Sequence, residues 1–367
     1  MPNLINEAPA KRNYDFIDHI RCLAMMSIVA DHNFNVGDYA FKAYTTNYWV
    51  YFVDIQLAKF GTITFFLLAG FLLGDKFAEY SPGQYLNRRF KSTFKPWIIW
   101  SLAFLAVIII KEAVIDAKFY PGRFNFAQTF ISGLSTVYLF SNYWFIINFL
   151  ICIAILLLFK KSLYSWKLGA VLLLLTLFYS LNCFYEWIFP VHTTALFGFV
   201  FFLWLGAQIN KNWKIIDQKV TALPFYIFLI AFVITFALSG FESTRLFAMK
   251  SAEPFNTLRF SNILYSLATF ALLLKIRDFK LIKYFKPRET TYGIYLVHYI
   301  LVYALVDEIL RPFNLNIGMV KYLSAGGLIV YQYVRFIIVY ILTFAIVISI
   351  NRTRYRWLIG NNIPRKK

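Results

Sequence analysis

The sequence predicts an all-α, polytopic membrane protein with about ten transmembrane helices, and three observations carry that prediction. Hydrophobic residues fill 60% of the 367 positions and mean hydropathy is +0.59, more apolar surface than a water-soluble domain of this length can bury. Aromatic residues reach 20%, as expected for lipid-facing helices with Trp and Tyr belts at both interfaces. Lysines and arginines gather between the apolar runs, so the net charge of +19 reports topology and calls for no nucleic-acid partner.

The runs follow one another with short breaks. The first, 15–33, comes after a polar start and carries charges of its own, so it reads as a retained helix and not as a cleavable signal. The second, 57–78, holds Thr62 to Gly74, whose small residues allow close helix approach. The third, 93–113, is entered through the basic stretch Asn87 to Trp97. The fourth, 143–160, opens on Tyr143 and Trp144, an interfacial anchor. Plain apolar runs follow at 167–185, 193–210, 221–240 and 259–276. The ninth, 290–311, carries polar residues at three- and four-residue spacing, and the tenth, 328–350, leads into a basic tail. Residues 126–141 are moderately apolar and fit an interfacial or re-entrant piece.

Charge counting orients this arrangement. Counted together with the adjoining ends of the runs, the two termini and the even-numbered loops hold 25 Lys and Arg and the odd-numbered loops 11, while Arg21 is assigned to the first helix itself. Basic residues stay on the cytoplasmic side, so both termini are expected there, in a multi-pass protein of the cell membrane. The expected organisation is a cytoplasmic segment 1–14, a transmembrane domain 15–350 and a basic cytoplasmic tail 351–367. Cys22, Cys152 and Cys183 show neither disulfide nor metal spacing, and no metal is expected.

Charged and ionisable residues in membrane-depth helices are costly and mark functional sites. Arg21 and His32 stand eleven residues apart, so they share one helix face about 16 Å apart. Asp18 is placed to pair with Arg21. His32, whose ordinary pKa lies near neutrality, suits a general base, with Asp18 or Asp31 to fix its tautomer. The same residues also fit a plainer account, in which Arg21 and His32 snorkel to opposite interfaces. Arg88, Arg89 and Lys91 read either as a positive-inside anchor or as a grip for the phosphates of a nucleotide-bearing donor. Tyr292, Tyr295, His298 and Tyr299 make one polar stripe, either hydrogen-bonding between helices or walling a cavity that faces His32. Trp144 is an interface anchor or a sugar-stacking platform.

These pieces, in this order, resemble the membrane-bound acyltransferase family 3, integral membrane O- and N-acyltransferases of surface glycans, lipids and antibiotics. Arg21 and His32 match its arginine–ten residues–histidine motif, with Asp18 in its usual place. Phe65 to Leu72 looks like its second-helix signature, with Ala69 where serine is common. Trp144-Phe145 looks like its Trp-Phe motif, and Tyr292 to His298 like its Tyr-x-x-Tyr-Leu-x-His segment. The resemblance spans residues 14 to about 350. One departure stands out. Where the family shows two arginines separated by two residues, Arg89 is followed by Ser92, and Arg88 by Lys91, which supplies charge without a bidentate fork.

The resemblance implies an acyltransferase that takes an acyl group, acetyl first of all, from acyl-coenzyme A and passes it to a hydroxyl of a surface glycan or glycolipid. It implies His32 as base with Asp18 and Arg21 in support. It implies Arg88, Arg89, Lys91, Tyr292, Tyr295 and His298 on the donor side, and Asp31 and Trp144 on the acceptor side. A continuous cavity lined by the first and ninth helices is expected. A transporter or flippase for a lipid-linked saccharide is the competing class. It calls for paired Gly/Pro-interrupted helices in matching halves, which the sequence does not offer.

Overall fold

The computed structural model describes residues 14–361 apart from 38, 39, 314 and 316, so the start of the expected N-terminal segment and the end of the expected tail lie outside the described residues. Within it run α1 (Asp15–Phe34), α2 (Thr46–Ala58), α3 (Gly61–Glu79), α4 (Pro82–Arg89), α5 (Lys95–Phe119), α6 (Phe126–Ser135), α7 (Trp144–Leu158) and α8 (Trp166–Tyr185). They are followed by α9 (Val200–Lys211), α10 (Trp213–Ala222), α11 (Phe225–Ala248), α12 (Phe260–Ile276), α13 (Pro287–Ala304), α14 (Val306–Leu310) and α15 (Ala325–Asn351). No strand occurs among the described residues.

The protein is an all-α membrane protein. Among the described residues, five helical stretches are long and apolar enough to cross a bilayer: Thr46–Gly74, Pro82–Phe119, Trp166–Tyr185, Phe225–Ala248 and Ala325–Asn351. Two bent pairs, Phe126–Phe140 with Trp144–Leu158 and Pro287–Ala304 with Val306–Phe313, raise the number to seven. The difference from about ten has physical causes. α1 is interrupted by Asp18, Arg21 and Asp31, α9 has only 12 residues, and α12 has 17. α2 has no counterpart among the expected segments, because its apolar residues are interleaved with Asn47, Asp54 and Gln56. It continues almost directly into α3 and lengthens the second span on the side where α1 ends.

Large apolar side chains such as Leu102, Ile110 and Val114 of α5, Val233 and Phe241 of α11, and Ile337 and Ile341 of α15 remain exposed. A water-soluble protein rarely tolerates so broad an apolar surface, whereas lipid requires it. Inside, two apolar clusters meet at α1. Met25 and Val29 join the cluster built with α13 and α15, and Ile17 and Ile20 join the one built with α3, α9 and α12.

Small residues set the closest approaches. Gly61 lies against Ala24 and Ser27 of α1, Gly70 against the Leu203 carbonyl of α9, and Gly206 against the Leu67 carbonyl of α3. Gly70→Ala or Gly206→Ala would press a methyl group onto backbone. The gain in helix propensity is about 1 kcal/mol, and overpacking costs about 1–3 kcal/mol with backbone at its upper end. Either variant is expected to unfold at lower temperature than wild type in detergent. Gly83→Ala, with open space around it, is expected to hold or raise the unfolding temperature.

Candidate active site

α1 and α13 lie side by side and run in the same direction, because contacts pair their first turns and again their later ones. At the starting end, Arg21 Nη1 donates to Asp18 Oδ1 at 3.2 Å, and Arg288 Nε of α13 donates to Asp18 Oδ2. About three turns further on, His32 Nδ1 and His298 Nε2 are 3.0 Å apart. Each helix therefore carries an arginine at one end and a histidine at the other, about 16 Å along α1 and about 15 Å along α13. Arg288 was not singled out from the sequence. Its signal was the ten-residue spacing to His298, which nearly repeats that of Arg21 to His32.

The hydrogen bonds fix where the protons sit. His298 Nδ1 lies 2.9 Å from the Ile294 carbonyl oxygen. A carbonyl only accepts, so Nδ1 carries hydrogen, and in a neutral ring Nε2 is then a lone pair. His32 Nδ1–H must donate to that lone pair, which leaves His32 Nε2 as an unprotonated acceptor. His298 is fully buried, while His32 is partly exposed and meets the edge of Tyr299 at 5.1 Å. The expectation that a carboxylate orients His32 is corrected here. Asp18 lies about four turns away, and Asp31, one residue and about 100° round the helix, is turned to Lys59 of the α2–α3 junction at 3.0 Å.

Below the histidines is a cavity of about 270 Å³. Arg21, Arg89 and Arg288 line its mouth together with Ser92 and Asn361, and Ile28 and Tyr295 line its inner end. Both helices expected to form a cavity do so. The space nevertheless stops one turn short of His32 and His298, neither of which lines it.

The basic stretch is divided by helix geometry. A π-helical turn, Phe90–Phe94, joins α4 to α5. Arg89 and Ser92 face the cavity, with Arg89 Nε donating to the Tyr85 hydroxyl at 2.7 Å. Arg88 and Lys91 occupy the next face. Arg88 lies 4.5 Å over the Tyr80 ring, Lys91 is exposed, and neither lines the cavity expected of them.

Tyr292 and Tyr295 of α13 line the cavity, but their hydroxyls are engaged elsewhere. Tyr292 donates to the Thr93 carbonyl in the π turn and Tyr295 to the Asn142 carbonyl, each at 2.5 Å. Asn142 Nδ2 returns a bond to the Tyr295 carbonyl at 2.8 Å. Trp144 is not an open platform, since the His192 ring stacks on it at 4.9 Å and is held by Thr257 at 3.0 Å. The short helical turn Arg356–Ile359 brings Gly360 against Tyr292 and the Ser92 carbonyl. Gly360 has φ +78°, and a side chain there would collide with both. No group of three His, Cys, Asp or Glu suited to a metal ion occurs among the described residues.

The fold and site together define an integral membrane protein whose central helices enclose an arginine-mouthed cavity and a histidine pair. Residues 14–352 match the family model described as an acyltransferase domain, and the chain belongs to that family, acyltransferase family 3. Comparison with curated proteins and with solved structures gave no match.

Tyr292→Phe would leave the buried Thr93 carbonyl without its side-chain donor. A loss of about 1–3 kcal/mol is expected, read as a lower unfolding temperature in detergent at unchanged helical content.

Proposed function

We propose that this protein moves an acyl group, acetyl first of all, from acyl-coenzyme A to a hydroxyl of a cell-surface glycan or lipid-linked sugar. The observation that carries this reading is the histidine pair, which leaves His32 Nε2 as a free lone pair one turn above an arginine-mouthed cavity. Membership of the acyltransferase family supports the reaction class.

In this reading the chain crosses the cell membrane ten times, through α1, α2–α3, α4–α5, α7, α8, α9, α11, α12, α13 and α15, with both termini cytoplasmic. Asn361 and Arg21 line the same cavity, which supports placing both chain ends on one side. The donor enters at the arginines with its phosphates outermost, and its thioester arm runs along α1 and α13 toward His32. The acceptor approaches from the far side, where Asp31, Lys59, His192 and Trp144 lie.

The chemistry is a proton transfer coupled to attack. His32 Nε2 takes the proton of the acceptor hydroxyl as that oxygen bonds to the thioester carbonyl carbon. The carbon–sulfur bond then breaks, and the thiolate takes the proton back from His32, giving an ester and free coenzyme A. His298 accepts from His32 Nδ1 throughout and holds the base in its working tautomer. Base catalysis of this kind contributes about 10²–10⁴-fold, and holding both reactants in one site contributes several kcal/mol more.

Purified protein in lipid nanodiscs with labelled acetyl-coenzyme A tests the assignment. His32→Ala is expected to lower transfer about 10²–10⁴-fold, and near-normal turnover would overturn it. His298→Leu removes the acceptor that sets the tautomer and is expected to lower kcat, by up to about 10⁴-fold where the wrong tautomer dominates. His298→Gln, whose amide oxygen can accept the same bond, is expected to recover part of that loss. Mass spectrometry of envelope glycans from cells with and without the protein identifies the acceptor.

A further inference from the structure

Tyrosines recur along α13 at three- and four-residue spacing, as Tyr292, Tyr295, Tyr299 and Tyr303. Tyr292 and Tyr295 end on backbone carbonyls. Tyr299, one turn beyond Tyr295, does not. Among the described residues its hydroxyl makes no hydrogen bond to protein, and it is not one of the sealed, unbonded polar atoms of the interior. A phenol inside a helix bundle ordinarily finds an acceptor. One without an acceptor, partly exposed and in contact with His32, is free to bond a ligand.

The ring is held in place by its neighbours. It stands at 90° to the His32 ring with centres 5.1 Å apart, at 90° to the His298 ring at 6.3 Å, and edge-to-face with Phe104 at 5.7 Å. These are ring contacts, which set the direction of the phenol without using its oxygen. Arg335 of α15 is buried, its Nε has no hydrogen-bond partner, and its charge reaches Tyr299. Asp307 stands 3.6 Å from Arg335 Nη2, outside hydrogen-bond range. A neutral donor beside a cation favours negative charge developing next to it.

The proposed reaction develops such a charge. As the acceptor oxygen bonds to the thioester carbon, the carbonyl electron pair moves onto its oxygen, and that oxyanion needs a donor about 3 Å away. His32 Nε2 does not serve, because it is taking up the acceptor proton. The attacking oxygen and the oxyanion sit on one carbon. A base and an oxyanion donor therefore flank that carbon, each about 3 Å from its own oxygen. His32 and Tyr299, as ring neighbours, are spaced to flank a group of that size.

We propose that Tyr299 is a second catalytic residue, whose hydroxyl donates a hydrogen bond to the oxyanion of the tetrahedral intermediate. The role rests on the acyl-coenzyme A reading of the site. Tyr299 keeps its proton throughout. When the intermediate collapses, the electron pair returns to the carbonyl and the carbon–sulfur bond breaks. The thiolate then takes the proton held by His32, and Tyr299 is left unchanged.

The test uses the full chain in nanodiscs with labelled acetyl-coenzyme A. Tyr299→Phe keeps the ring and removes only the hydroxyl. It is expected to lower kcat about 10²–10³-fold with KM for acetyl-coenzyme A little changed. Its unfolding temperature should match wild type, because no protein partner is lost. A coenzyme A phosphonate that imitates the tetrahedral intermediate should bind this variant more weakly by a similar factor. Tyr303→Phe, which removes a phenol one turn further along α13, should keep kcat. Near-normal kcat in Tyr299→Phe, undiminished phosphonate binding, or a kcat loss matched by a lower unfolding temperature would overturn the role of Tyr299. Acetyl transfer by wild type would leave the acyl-coenzyme A reading standing in each of those cases. Absence of transfer by wild type would overturn that reading and the role of Tyr299 with it.

Discussion

The structure depends on how α1 finds partners for the charged and polar groups it carries into the helix bundle. Beside packed apolar side chains such a group, left unpaired, costs several kcal/mol. Each is answered by a different neighbour. Asp18 bonds Arg21 on its own helix and Arg288 on α13. Asp31 pairs with Lys59 where α2 meets α3. His32 donates to His298. His19 bonds the Arg277 carbonyl beyond the end of α12 at 2.7 Å. These directional contacts come from three sides and place α1 between the two apolar clusters, where dispersion alone would leave its rotation free. Breaking one partner strands the other, so the polar contacts fix geometry even where their net stabilisation is small.

The cavity wall is fixed by a different device. Tyr292, Tyr295 and Tyr143 all end on backbone carbonyls, in the π turn, at the break between α6 and α7, and on α13 at Leu296. Those carbonyls lie where helices bend or where a second lone pair is free, and a phenolic hydroxyl is long enough to reach them across a helix interface. The 53° bend before α7 brings Asn142 to α13, and Asn142 and Tyr295 then exchange bonds in both directions. The irregular backbone is confined to places where side chains of a neighbouring helix satisfy it, which is the condition for irregular backbone at membrane depth. Tyr292 and Tyr295 also line the cavity, so in these two residues rigidity and lining coincide.

Much of this was legible in the sequence, and what was not has a common cause. Apolar runs locate helices because hydropathy is a local property, and the expected runs 143–160, 167–185 and 259–276 agree with α7, α8 and α12 to within two residues at each end. The polar stripe of α13 was visible from its spacing. Pairing within a helix was visible, as for Asp18 with Arg21, but pairing between helices was not. Asp31 stands next to His32 in the chain, yet its side chain belongs to Lys59, and the residue that orients His32 is 266 positions away. Arg288 was hidden among the basic residues of a loop that charge counting explains as topology. Arg88 and Lys91 carry the same charge as Arg89 but occupy another face. A sequence states which side chains are costly to bury, and the fold decides which of them meet.

The turn that separates the cavity from the histidines bears on how such a site handles a thioester. Ile28 and Tyr295 close the inner end of the cavity, and His32 is partly exposed beyond them. Arg21 and Ile28 are seven residues apart, about 10 Å, while His32 lies about 16 Å from Arg21. Tyr295 is pinned through its hydroxyl to Asn142, so Ile28, an aliphatic side chain with rotamers available, is the more movable of the two. In the proposed reaction, a donor reaching His32 has to displace that side chain, and in its absence the base stays out of contact with the arginine-lined chamber. In that proposal, the Ile28 side chain would keep water in the cavity from the base until the donor displaced it. Binding at the cavity mouth and closeness to the base would then be linked, because one donor would have to meet the arginines and part Ile28 from Tyr295.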